Sequence, residues 1–144
     1  VFNPGRDEVR RFFCDARARR RDGQPLEPLQ AIAAEWIDRH PEYHALLDDP
    51  ESALEAEFPP QAGRTNPFLH LALHLSLVEQ LQIDQPPGIR DAWAALLRAT
   101  GDEHDAAHRA MDALAETVWE AQRDGRPPSN ERYLKRLRRA AQPR

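Results

Sequence analysis

Histidine is the residue type whose placement in this chain departs most from chance. The chain holds six histidines, and all fall into pairs of one spacing: His40 with His44, His70 with His74, and His104 with His108. Random placement would give about 0.2 such pairs, against the three present. Residues four apart in a continuous helix lie on one face, a turn apart. Two imidazoles placed so can ligate one ion, and neutral imidazole suits zinc, iron, nickel or copper. Two such helices packed together would supply four nitrogen ligands, an arrangement that helical bundles use for metals.

The expected ligands are therefore His70, His74, His104 and His108, holding a divalent transition metal such as zinc or iron. His40, His44 and Asp112 are further candidates, and Asn66 is an oxygen donor one turn before His70. Glu79 falls on the far side of its helix from His70 and His74. A plainer reading stands beside this one. Buried histidines often only bond a carboxylate or a main-chain carbonyl, and on that reading Pro41 between His40 and His44 marks a helix start and nothing more. The segment from His104 to His108 is similar to the zinc-protease pattern of two histidines four apart. Its Asp105 stands where the general-base glutamate belongs and is one methylene shorter, so a helix-start role fits it better.

These residues need helices to position them, and the chain reads as all-α with no alternating strand-like run. Asn3-Pro4 reads as a cap and first helical residue, with a helix to about Arg21 stopped by Asp22-Gly23. A second helix presents Leu29, Ile32, Ala33, Trp36 and Ile37 on one face and reaches His40. There Pro41 ends it or opens a kinked continuation through Leu47. Asp49-Pro50 starts a short helix to about Glu57, and 58–64 is a loop. Asn66-Pro67 repeats the cap signal and opens a helix over 67–83 that is leucine-rich on nearly every side, as a central buried helix would be. After a turn at 84–88 a helix covers 89–100 around Trp93, Leu96 and Leu97, and Gly101 stops it. Asp102, with Asp105 as capping-box partner, opens the next helix, and Gly125 closes it. Its inward stripe is expected at His104, His108, Met111, Ala115, Val118 or Trp119, and Gln122. Ser129 or Asn130 caps a last, basic helix with Tyr133, Leu134 and Leu137. The expected architecture is one domain over 1–144, a compact bundle of about five to seven helices with 67–83 packed on 102–124.

Composition narrows the function. A net charge of −4 gives no overall drive toward nucleic acid or an anionic membrane. Basic residues cluster at Arg17, Arg19, Arg20 and Arg21, and again at Arg132, Lys135, Arg136, Arg138, Arg139 and Arg144. Cys14 is the single cysteine, so no intrachain disulfide can form. It sits beside Phe12 and Phe13 as a small core residue rather than a nucleophile. The three tryptophans, Trp36, Trp93 and Trp119, read as core packing. The apolar run 68–81 is too short for a bilayer, and the N-terminus lacks a signal-peptide core, so a cytoplasmic location and no membrane partner are expected. The alternative to metal binding is a non-enzymatic protein- or RNA-interaction module with structural histidines. It would contact nucleic acid through Arg132, Lys135, Arg136 and Arg139.

Several runs act together as a signature. They are Asn3 to Cys14, His40-Pro41-Glu42-Tyr43-His44-Ala45-Leu46-Leu47, and Asn66-Pro67-Phe68-Leu69-His70 through His74 to Glu79-Gln80. Gln85-Pro86-Pro87-Gly88-Ile89-Arg90, Gly101-Asp102-Glu103-His104 and Trp119-Glu120-Ala121-Gln122-Arg123 complete the set. In this combination the chain resembles a bacterial family of short proteins known as domain of unknown function DUF1841. The resemblance covers nearly the whole sequence. It implies a bacterial, cytosolic protein and carries no known activity, so it transfers no catalytic role. A second likeness, through the paired histidines alone, is to hemerythrin-type bundles.

Overall fold

The computed structural model describes residues 5–59 and 66–142. Eight α-helices and one 3-10 turn make up the regular structure of the described residues, with no strand among them. The excess over five to seven comes from short pieces that proline cuts out of longer patterns. Pro41 opens a 3-10 turn, Pro41–Tyr43, and α3 follows over His44–Leu47. Asp49 caps α4, Pro50–Glu55, by accepting the Ser52 N–H. No helix among the described residues is long and apolar enough to cross a membrane.

The chain divides into two units, Val1–Ala72 and Leu73–Arg144, with the boundary inside α5, Pro67–Ile83. In the first unit α1, Arg6–Arg21, packs against α2, Pro28–Asp38, and against α3 and α4. Gly5 stands at the N-cap of α1, while Asn3 and Pro4 lie outside the described residues. Glu27 caps α2 through a reciprocal box with Gln30. Phe13, Cys14, Ala16, Ala33, Trp36, Ile37, Leu47 and Ala53 form the core of this unit. Arg10 is buried with them at 4% exposure. Its guanidinium donates to the carbonyls of Ala53 and Ala56, each at 2.8 Å, and lies over the Phe68 ring. It thereby closes the C-terminal end of α4, whose last carbonyls have no partner within their own helix.

The second unit is built on α6, Ile89–Thr100, α7, Glu103–Asp124, and α8, Asn130–Ala140, each packed on the other two. The caps fall where the sequence puts them. Asp102 accepts the Asp105 N–H at 2.9 Å, and Gly101 and Gly125 close helices at φ +69° and +63°. Asp102 and Asp105 do not form a reciprocal box, because the Asp102 N–H goes to Thr100 Oγ1 and the Asp105 carboxylate to Arg109. Residues 73–83 of α5 meet this group through the Tyr133 hydroxyl, which donates to Gln80 Oε1 at 2.7 Å.

Two packing expectations are corrected. The inward stripe of α7 is Ala106, Ala107, Ala110, Met111, Ala113, Leu114, Thr117 and Ala121, not the line through Trp119 and Gln122. Helices approach most closely over small residues, and a search for large apolar ones overlooks an alanine seam. Trp119 is 58% exposed, with the Arg123 guanidinium over its ring. Likewise α5 is not buried all round. Phe68, Leu71, His74 and Leu77 are buried, while Leu69 and Ile83 are exposed.

Candidate metal centre

In the second unit the histidines of α7 sit in its first two turns, behind the Asp102 cap that fixes where the helix begins. His104 and His108 are both half-buried, and their Nε2 atoms lie 3.0 Å apart. The ring planes cross at 76°. His74, buried on α5, brings a third ring with its centroid 6.1 Å from His104 and 5.4 Å from His108. One ring nitrogen from each of the three lies within 4.8 Å of the others. For two imidazoles at a usual zinc distance of about 2.05 Å, a 3.0 Å separation subtends about 94° at the ion. That falls between about 90° for octahedral and about 109° for tetrahedral ligands, so the pair is spaced as neighbouring ligands are. Asp112, one turn beyond His108, is exposed to solvent.

The first unit holds the other three. His40 is buried, and its Nδ1–H donates to the Trp36 carbonyl at 2.7 Å. A carbonyl only accepts, so the ring's proton is on Nδ1 and its lone pair on Nε2. The Nε2 of His70 lies 3.1 Å from that atom. His44 follows the 3-10 turn, and its Nε2–H donates to the Ile37 carbonyl at 2.9 Å. The pair His40 and His44 thus does not share a continuous helix; each ring bonds a different carbonyl of α2. His40 meets His70 instead, thirty positions along the chain. No spacing rule in the sequence signals that contact.

The basic residues of α8 are partly spent within the unit. Arg132 and Arg136 both bond the Glu120 carboxylate, and Arg136 also donates to Thr117 Oγ1 at 2.9 Å. Hydrogen bonds from Arg132 and then Arg136 hold the Glu120 carboxyl below its ordinary range. Lys135 and Arg139 remain exposed, and Arg144 lies outside the described residues. Cys14 is buried, and burial pushes its thiol up to about 11, far from the thiolate a nucleophile needs.

Residues 5–139 match the family described as Domain of unknown function (DUF1841), and the chain belongs to that family. No curated protein and no solved structure matches it.

Proposed function

We propose that this DUF1841 chain binds a divalent transition metal, zinc or iron, through His74, His104 and His108. The observation that carries the reading is the convergence of three ring nitrogens from two helices to within 4.8 Å of one another, two of them at ligand-to-ligand separation. Burial adds weight. A wholly buried imidazole such as His74 costs free energy unless its nitrogens find partners, and leucine would pack that position at lower cost. One ion would take a nitrogen from each of the three rings. It also ties the middle of α5 to the first turns of α7, a cross-link that α7 can make only because its cap starts the helix two residues before His104. A bound ion of this kind supplies rigidity and a Lewis-acid charge.

The test is elemental. Full-length chain is stripped with chelator, given zinc(II) in slight excess, desalted and analysed by plasma mass spectrometry. Retention of at least one equivalent, lowered by one equivalent in the double variant His104→Ala with His108→Ala, is expected. Retention of less than about half an equivalent, with an unchanged melting temperature, would remove the proposal.

A further inference from the structure

We infer that the outer face of α8 is a docking surface for the phosphate backbone of a nucleic-acid duplex. Lys135, Arg138 and Arg139 make this face, all of them exposed, while Tyr133 and Leu137 of the same helix are buried. Positions 135 and 139 lie one turn apart, and 138 stands beside them at the neighbouring helical spacing. At a rise of about 1.5 Å per residue the three cations share a ridge about 6 Å long. None of the three makes an ion pair among the described residues. Arg132 and Arg136 differ from them. Glu120 holds both guanidiniums, and Glu116 meets Arg136 as well, so their charge is balanced within the unit. The cluster expected at Arg132, Lys135, Arg136 and Arg139 thus separates into two engaged arginines and a ridge of Lys135 and Arg139 that Arg138 completes.

Charge density identifies the partner. Three cations in about 6 Å is about one per 2 Å of axis, close to the one phosphate per about 1.7 Å that a duplex carries. An extended acidic peptide offers at most one carboxylate per about 3.3 Å and would leave part of the ridge unmatched. A bilayer surface holds an amphipathic helix by its apolar face, and that face of α8 is already in the core. Tyr133 is buried with its hydroxyl on Gln80, and Leu137 is 1% exposed. Two of the three cations are arginines, whose planar forks suit phosphate oxygens. The net charge of −4 does not cancel the attraction at contact, because exposed charges more than about 8 Å apart are largely screened at about 0.15 M salt. Nearby carboxylates set the limits of the surface. Glu131, one turn before Lys135, is the only acidic residue of α8. Asp112 and Glu116 line the groove between α7 and α8 beside Arg139, so the backbone lies along the outer face and not in that groove. Such contacts hold a nucleic acid in place without reading its sequence. The surface belongs to α8 alone and does not rest on the metal proposal.

Fluorescence anisotropy tests it. Full-length chain is titrated into a labelled RNA duplex of about 20 base pairs, and into a DNA duplex of the same sequence, at about 50 to 200 mM salt. A Kd of about 100 μM or tighter at the lowest salt is expected on at least one duplex, and which one binds names the source of the backbone. Three phosphate contacts predict a slope of about −2.7 in log affinity against log salt, or about 40-fold weakening across that range. The triple variant Lys135→Gln, Arg138→Gln, Arg139→Gln should bind at least about tenfold more weakly at low salt, with a slope near zero. Arg11→Gln with Arg98→Gln removes exposed cations from α1 and α6 and should bind as wild type does. Should the triple variant fail to fold, Arg138→Gln alone decides, and its slope must be shallower by about 0.9. No saturable binding to either duplex overturns the proposal. An equal loss in the Arg11 and Arg98 variant overturns it too, since binding then follows net charge and not the ridge. Displacement of the duplex by oligoglutamate at equal charge would assign the ridge to an acidic protein. Binding only to phosphatidylserine vesicles would assign it to a membrane. Either result rejects the duplex.

Discussion

Arg10 shows how a single residue can carry structure that composition hides. It lies in the first half of α1 among charged neighbours and reads as one more solvated arginine. In the fold it is buried, bonded to the carbonyls of Ala53 and Ala56, and laid over Phe68. Removing its head group would leave the buried Ala53 carbonyl without that donor, while the Ala56 carbonyl keeps its bond from Arg6 at 3.0 Å, and a buried acceptor so stranded costs about 1–3 kcal/mol. Arg10→Ala should therefore lower the unfolding free energy by about 2–4 kcal/mol in urea titrations. Arg10→Lys should recover only part, because a point charge cannot reproduce the planar fork. An alanine variant within about 0.5 kcal/mol of wild type would show that the contact contributes nothing. The histidines divide in the same way between local and distant causes. His104 with His108 was legible, since both rings stand on one helix and the spacing alone brings them together. His40 with His70 was not, because a contact across thirty positions depends on how α2 and α5 pack.

The elements were legible to the extent that their ends carry chemistry. Asn66-Pro67, Gly101, Asp102, Gly125 and Ser129 mark boundaries through hydrogen bonds or left-handed backbone that only a few residue types allow. The helices over 67–83 and 89–100 fall where those signals place them. Which face turns inward was less legible on α7, because alanine gives little hydrophobic signal and Trp119 a misleading one. The join of α7 to α8 rests on Glu120, whose carboxylate accepts from Arg132 and Arg136. The carboxyl is held below its ordinary 4.5, first by the Arg132 bond and then by the Arg136 bond. A depressed folded value stabilises the fold at pH above the unfolded value, and that stability is lost as pH falls through the folded value. Glu120→Gln should accordingly have a lower urea midpoint than wild type at about pH 7, with the gap closing toward about pH 3. A gap that stays constant across that range would assign the difference to packing rather than charge.

At the scale of the whole molecule, a small acidic helical chain with one cysteine has neither disulfides nor a strong field to lend it stability or partners. The proposed metal would add to the burial of apolar surface, and its effect would belong to the intact chain because an ion that binds only the folded state stabilises all that unfolds with it. Free zinc at about 100 times Kd adds about 2.7 kcal/mol for one site. At about 3 °C per kcal/mol for a chain of this length, that is a rise of about 8 °C in Tm. Magnesium at the same concentration should give no rise, since imidazole is a poor donor for a hard cation. The zinc effect should also fall away on acidification to about pH 5, because protons and metal compete for the same ring nitrogens. Differential scanning calorimetry of the stripped full-length chain measures all three conditions. A rise that persists undiminished in acid, or that magnesium reproduces, would mean that the imidazoles are not the ligands and that the six histidines serve the packing of the helices alone.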